Sequence, residues 1–329
     1  MSRPIRRGRN TFGAAWLVIL AGLTGLAGLT SQLSMAQSPA SDETFGVWPV
    51  RDNLFMLVGA GGNTTVQVGP DGILIVDTKL ETAGEALLAA VREISDQPIR
   101  YIVNTHAHGD HIGGNAILGP AGQTISGGNV AGAISDAGQG ATIIAHENVL
   151  LGIATQDEPP PFAGWPTSTF YVPQKDLYFN GEPIEIRYLS SAHTNGDSLV
   201  FFRRSDVISA GDVYNTTAYP VIRDGDGGSI DGVIAALNEI IRITVPRDKQ
   251  EGGTLVIPGH GRLTDEADVV EYRDMVTIIR DRIRAMKSMG MSLDQVIAAR
   301  PTLDYDGRYG TNERWTPTQF IEAVYRTAE

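Results

Sequence analysis

Cysteine is absent from all 329 residues. That absence excludes a disulfide framework, a thiolate nucleophile, an iron–sulfur cluster and a sulfur-based zinc finger. Any metal must therefore be held by His, Asp and Glu. An excess of basic charge is missing too: the net charge is −12. Phosphate backbones are bound by clustered Lys and Arg, so nucleic acid is excluded as the expected partner. With 42% hydrophobic and 19% charged residues, the composition is that of a globular chain, not a disordered one.

The first 36 residues differ from the rest. Arg3, Arg6, Arg7 and Arg9 precede an apolar, small-residue run over 14–33, and Ser34-Met35-Ala36 closes it. This order of basic, apolar and small-residue segments is that of a secretory signal peptide over 1–36. The competing reading is a retained membrane anchor, since about 20 apolar residues can span a bilayer. Cleavage after Ala36 would leave 293 residues and remove four arginines and no acids, taking the charge to −16. The expected location is periplasmic or secreted, with no membrane contact after cleavage. Residues 37–44 read as a loose linker, and 45–329 as one domain large enough to stand without staples.

Along that domain, short apolar or alternating runs at 53–58, 64–68 and 73–77 are punctuated by Gly-rich turns, which predicts antiparallel hairpins. Residues 81–94 carry Leu87, Leu88, Val91 and Ile94 on one helical face. Strands are predicted at 99–103, 141–145, 184–189, 198–203, 206–210 and 254–257. Helices are predicted at 147–153 and 230–243 and dominate after 265. Residues 121–140 and 156–170 read as loops. Strands and helices interleave without an internal linker, which predicts an α/β sheet core flanked by helices.

Six histidines are present, and three fall in His106-Ala107-His108-Gly109-Asp110-His111. The motif directly follows the predicted strand 99–103, where loops carry functional groups on a rigid scaffold. His106 and His108 project together from an extended segment. Asp110 and His111 lie where the chain turns and face a second point, which suits two metals side by side. His193, Asp212 and His260 each close another predicted strand, so the edge of one sheet can gather them.

These residues, in this order and on these strand ends, resemble the metallo-β-lactamase-fold hydrolase superfamily. The resemblance covers most of the domain, with Asp77 as a further match. It implies a four-layer αββα sandwich. It implies two Zn²⁺ ions, the first held by His106, His108 and His193. Asp110, His111 and His260 would hold the second, and Asp212 would bridge the two. Asp77 would orient a ligand histidine; the alternative is an N-cap for the helix at 81. A shared water with a pKa lowered to near 7 would attack an amide, ester or lactone carbonyl, with β-lactams the leading named substrate. Asp110 is the expected catalytic residue. The small-molecule substrate and the oligomeric state are not given by the sequence.

The pattern departs from some relatives. Asp212 and the lack of cysteine exclude lactamase subclasses with a cysteine in the second site, and Asn215 stands where those enzymes carry a basic residue. The aspartate bridge looks more like glyoxalase II and lactonases, yet an export signal fits a cytosolic thioester hydrolase badly. Flavodiiron relatives carry Glu where this chain has His108. Two alternatives stay open: a phosphodiester or sulfatase-type hydrolase on the same metals, and a non-catalytic exported binding protein. Secondary expectations are a capping role for His146 and a turn or substrate flap at 59–63. Phe162 and Trp165 form an apolar rim or pack, and Tyr214 and Asn215 are in reach of substrate.

Overall fold

In β4 (Gly72–Val76) every residue is buried, the mark of a strand covered on both faces. Its side chains alternate between two hydrophobic clusters. Ile73 and Ile75 pack outward with Leu87 and Val91. Leu74 and Val76 pack inward with Phe179, Ile184 and Val200. The computed structural model describes residues 44–124 and 140–328. The expected signal segment 1–36, nearly all of the linker 37–44 and most of the Gly-rich stretch 121–140 lie outside the described residues.

Among the described residues, strands form two mixed sheets. In the first, β1 (Gly46–Arg51), β2 (Leu54–Val58), β3 (Thr64–Gly69), β4, β5 (Ile99–Val103), β6 (Thr142–His146) and β7 (Ser168–Phe170) lie side by side in chain order. The pairs from β1 to β4 are antiparallel and those from β4 to β7 parallel. The second sheet contains β8 (Gln174–Phe179), β9 (Glu182–Tyr188), β10 (Ser198–Phe202), β11 (Val207–Ser209), β12 (Leu255–Ile257) and β13 (Thr264–Asp265), in the spatial order β13-β12-β11-β10-β9-β8. Its β11–β12 pair is parallel.

Helices cover both outer faces. α1 (Gly84–Ile94), α2 (Gly109–Ile112), α3 (Asn115–Leu118) and α4 (Glu147–Ala154) belong to the first half. Leu87 and Val91 of α1 are fully buried against the first sheet and stabilise that contact by about 1.5–3 kcal/mol each. Leu87→Ala would cost about 2–5 kcal/mol. α5 (Ile230–Ile243), α6 (Glu266–Ser288), α7 (Leu293–Ala299), α8 (Asp306–Tyr309) and α9 (Pro317–Thr327) follow. Val233, Leu237, Ile240, Val276, Ile279 and Phe320 from this group pack on Leu199, Phe201, Ile208 and Val256 of the second sheet. Helix, sheet, sheet, helix is thus the layer order, the αββα sandwich expected. The described residues belong to one unit, Ala40–Glu329.

Capping explains where the outer helices begin. Ser229 Oγ accepts the Gly232 amide at the start of α5, and Thr316 and Gln319 form a reciprocal capping box on α9. Gly232 has no room for a side chain, because a Cβ there would stand 1.8 Å from the Ser191 carbonyl oxygen. That close approach docks α5 beneath the loop carrying His193.

Three sequence expectations need correction. Residues 156–170 are not all loop: Ser168–Phe170 pairs with β6 as β7. Residues 174–179, where no strand is predicted, form β8, an edge strand with one face in solvent and therefore no long apolar run. The chain turn expected at Asp110 and His111 begins one residue earlier, as a helical turn from Gly109 with His108 at its N-cap position.

Candidate metal centre

The parallel strands β4 and β5, and β11 with β12, all run toward one edge of the sandwich. Asp77, His106, Asp212 and His260 follow the ends of those four strands, and His193 lies in the β9–β10 connection. His108 is extended at the end of the β5–α2 loop, whereas Asp110 and His111 sit in the first turn of α2. This change of backbone splits the motif into two directions, as its spacing predicts.

Two triads form. Ligand atoms of His106, His108 and His193 lie within 4.8 Å of one another, as do those of Asp110, His111 and His260. Asp212 sits between them. Its Oδ2 is 3.7 Å from His193 Nε2 and 4.0 Å from His106 Nε2. Its Oδ1 is 3.2 Å from His111 Nε2 and 3.5 Å from His260 Nε2. Asp110 Oδ2 is 3.3 Å from His260 Nε2. All seven candidate ligands read from the sequence are brought to one place.

Each buried imidazole is oriented through its other nitrogen. Asp77 Oδ2 is 2.7 Å from His111 Nδ1, and His193 Nδ1 donates to the Val221 carbonyl at 2.6 Å. Thr105 Oγ1 is 3.0 Å from His106 Nδ1 and donates to Asp77 Oδ2 at 2.7 Å. His108 turns Nδ1 toward His193 Nε2, 2.9 Å away, and places Nε2 3.5 Å from Asp226 Oδ2. Such partners set ring orientation and ligand basicity.

Polar satisfaction tests whether a cation fits. His106 Nε2, His111 Nε2 and Asp212 Oδ1 are buried and make no hydrogen bond. Buried polar atoms are normally paired, since leaving one unpaired costs about 1–3 kcal/mol. Here the three face a common centre built from imidazole and carboxylate, the donor set that suits zinc. A metal fits these residues.

The proton affinities point the same way. Burial pushes His106 well down and His193 to about 4, so both present lone pairs. Burial, assisted by Arg223, also lowers His108. Burial would lower His111 and His260, yet neighbouring carboxylates outweigh it. Asp212 and Asp77 hold His111 well above the usual range, and Asp110 and Asp212 raise His260 to about 9. Burial would raise Asp110 and Asp212, but His260 and His111 bring Asp110 to about 2 and hold Asp212 well below normal. Without metal, protons on His111 and His260 thus balance the carboxylates of Asp110 and Asp212.

The remaining expectations divide. Asp77 does not cap the turn at Glu81–Ala83, whose N-cap Leu80 makes no side-chain bond; it holds His111 and Thr105. His146 Nδ1 accepts the Asn148 amide and caps α4, with its ring stacked 3.8 Å from Tyr188. Residues 59–63 are not a free flap, because Gly62 and Asn63 donate backbone bonds to Asp110 and Gly259. Tyr214 does not reach substrate; it is buried among the helices behind β11. Asn215 spends its carbonyl on the Thr217 amide and hydroxyl. Trp165 packs with Ile112, Val149 and Ile153 and donates to the Pro160 carbonyl, whereas Phe162 is exposed.

Sequence reasoning missed Thr105, the Val221 carbonyl and Asp226. Thr105 adjoins the motif and its hydroxyl was the available signal. Val221 acts through its backbone, which carries no signal, and Asp226 lies in an acidic glycine turn that nothing in the sequence links to His108.

A model of the Metallo-beta-lactamase superfamily matches residues 57–263, a span holding every candidate ligand. The alkyl/aryl-sulfatase BDS1 of Saccharomyces cerevisiae is 35% identical over 72 residues, 21% of this chain and 11% of the yeast protein. Among solved structures, the sec-alkylsulfatase Pisa1 from Pseudomonas sp. matches with a TM-score of 0.62 at 16% identity, covering 86% of this chain and 50% of that one. A metallo-beta-lactamase from Pontibacter korlensis matches with a TM-score of 0.54 at 15% identity, covering 71% of this chain and 99% of that one. The chain therefore spans only half of the alkylsulfatase and a small part of the yeast protein. At these structural identities the likeness is one of fold.

Proposed function

Because the chain belongs to the metallo-beta-lactamase superfamily, we propose that it is an exported two-zinc hydrolase of small amide, ester or lactone substrates, with β-lactams the first to be tried. The observation that carries this reading is the convergence of His106 Nε2, His111 Nε2 and Asp212 Oδ1, buried and making no hydrogen bond, where the two triads meet. His106, His108 and His193 would hold one zinc, Asp110, His111 and His260 the other, and Asp212 would give one oxygen to each. Zinc so held supplies Lewis acidity toward a carbonyl or phosphoryl oxygen and makes water nucleophilic at neutral pH.

The chain's own groups supply orientation and proton handling. Asp77 and the Val221 carbonyl keep Nε2 of His111 and His193 facing inward. Asp110 is the more open carboxylate of the centre, about a third exposed against about a tenth for Asp212. It is the group we assign to orienting the attacking water and passing its proton on to the leaving group. A groove of about 810 Å³ beside His108, bordered by Asn148, Leu151, Gln156 and Asn195, gives substrate its space.

A second reading is sulfate-ester hydrolysis at the same centre, and the segment shared with the yeast alkyl/aryl-sulfatase favours it. The groove does not separate the two readings: Asp157, Asp224 and Asp226 line it, with Asp224 paired to Arg326. The carboxylate of a β-lactam and the sulfate of a sulfate ester would meet the same charges there. Export rests on the pattern of residues 1–36, and N-terminal sequencing of the exported protein should begin at Gln37.

The test is turnover by zinc-loaded and chelated protein of a chromogenic cephalosporin, a lactone, a thioester, a bis-nitrophenyl phosphate and a secondary alkyl sulfate. Carbonyl substrates should turn over only with zinc. Turnover confined to the sulfate or phosphate would replace the first reading with the second. Full zinc loading without any turnover would favour a binding protein.

A further inference from the structure

The tip between β2 and β3, residues 59–63, grips the second triad from three sides. Asn63 is buried. Its amide donates to the Gly259 carbonyl at 2.7 Å. Its Nδ2 donates to the Pro258 and Gly261 carbonyls, each at 3.0 Å. These three bonds clamp the chain on both sides of His260. Gly62 lies flat on the His111 ring, where a Cβ would stand 2.3 Å from Cε1, and its amide donates to the Asp110 carbonyl at 2.9 Å.

Lys79 holds the tip from behind. Its fully buried Nζ donates to the Gly62 carbonyl at 2.7 Å and the Leu57 carbonyl at 3.0 Å. It also lies 5.1 Å from the centre of the Phe45 ring. None of the contacts just given involves His106, His108 or His193.

We propose that Asn63 and Lys79 are positioning residues for Asp110, His111 and His260, and that through them the tip sets the affinity of the second zinc position without setting the first. The proposal rests on the two-zinc reading above. Its physical basis is stiffness. His260 stands between Gly259 and Gly261, and glycine-flanked chain wanders unless it is held. A metal ligand must be held to within about 0.5 Å, which falls to supporting side chains. Asn63 ties that loop to the tip, and Lys79 ties the tip to the end of β4.

The experiment is zinc titration of the full metal-free chain in competition with a chromophoric chelator, for the wild type and for Asn63→Ala, Asn63→Ser and Lys79→Met. The wild type should bind two equivalents. Each variant should keep the first affinity and lose about 10- to 100-fold in the second, the range seen when groups supporting a ligand are removed. Lys79→Arg, which keeps a buried cationic donor, should restore part of it. Melting of the metal-free variants separates positioning from folding. If the wild type binds two equivalents and the variants keep both affinities, or lose both together, the positioning role is overturned. Collapse of the metal-free fold in all three variants would show purely structural residues and also overturns it. A single equivalent in the wild type removes the two-zinc reading and this inference with it.

Discussion

Asp77 joins two strand ends through a single carboxylate: Oδ2 lies 2.7 Å from His111 Nδ1, while Oδ1 accepts the Thr105 amide at 2.8 Å. The carboxylate thereby fixes which His111 nitrogen faces the centre and ties that ring to the loop carrying His106. Asp77 itself has a left-handed backbone, with φ at 61°, which Asp and Asn tolerate better than Ala. Asp77→Ala should therefore weaken zinc binding by about 10- to 100-fold, and Asp77→Asn by less. Competition with a chelator measures both, and wild-type affinity in both variants would deny the carboxylate this role.

Asp110 lies at the open side of the centre, with its carboxylate facing His260 and His111. Asp110→Asn should lower kcat by at least about 100-fold, the usual scale for losing a positioned acid–base group. The metal-free variant should keep its fold and lose only the stability that pairing with His260 and His111 contributes. Steady-state kinetics and calorimetry together check this, and unimpaired turnover would end the assignment.

The pH dependence of the chelated protein follows from three groups. His260 is raised from an ordinary 6.5 to about 9, so its stabilising contribution is complete below 6.5 and lost as the pH rises through about 9. Asp110 is lowered from 3.8 to about 2, so its contribution is present above 3.8 and lost as the pH falls through about 2. His193, lowered to about 4, loses stability as the pH falls below 6.5, so the chelated protein should be most stable near pH 6.5 and soften toward pH 9. Zinc needs neutral imidazoles, so its binding strengthens over the same rise. The melting gap between loaded and chelated protein should widen from pH 6.5 to 9; a constant gap would contradict the charge balance described for the second triad.

His146 tests the boundary of the site. Its Nδ1 caps α4 and its ring stacks on Tyr188. His146→Ala should leave zinc content and affinity unchanged and cost about 0.5–2 kcal/mol of stability, as loss of a cap does. Denaturant unfolding beside metal analysis checks both halves, and a fall in zinc content would bring His146 into the site.

Much of the sandwich is legible in apolar runs. β4 and β10 are continuously hydrophobic because both faces are covered. β8 is not legible, since an edge strand with one wet face carries half the signal. β7 hides behind Pro159, Pro160 and Pro161 and is called into pairing only by β6 beside it. The ligand set is legible for a different reason. Metal chemistry demands particular side chains, and these stand at strand ends where turns mark them. Tyr214 and Asn215 mislead because their distance from Asp212 along the chain says nothing of where their side chains turn. One is buried among the helices, and the other satisfies its own turn.

By itself, the sequence determined the donors, their order and the absence of sulfur among them, because these are properties of residue identity. Tertiary structure alone decided which nitrogen each ring turns inward, how Asp212 shares its oxygens, and that the glycine tip braces the centre. Those outcomes depend on contacts such as that from Asn63 to Pro258, 195 residues apart. No local pattern encodes a bond between such distant partners; only packing the two sheets face to face brings them within reach.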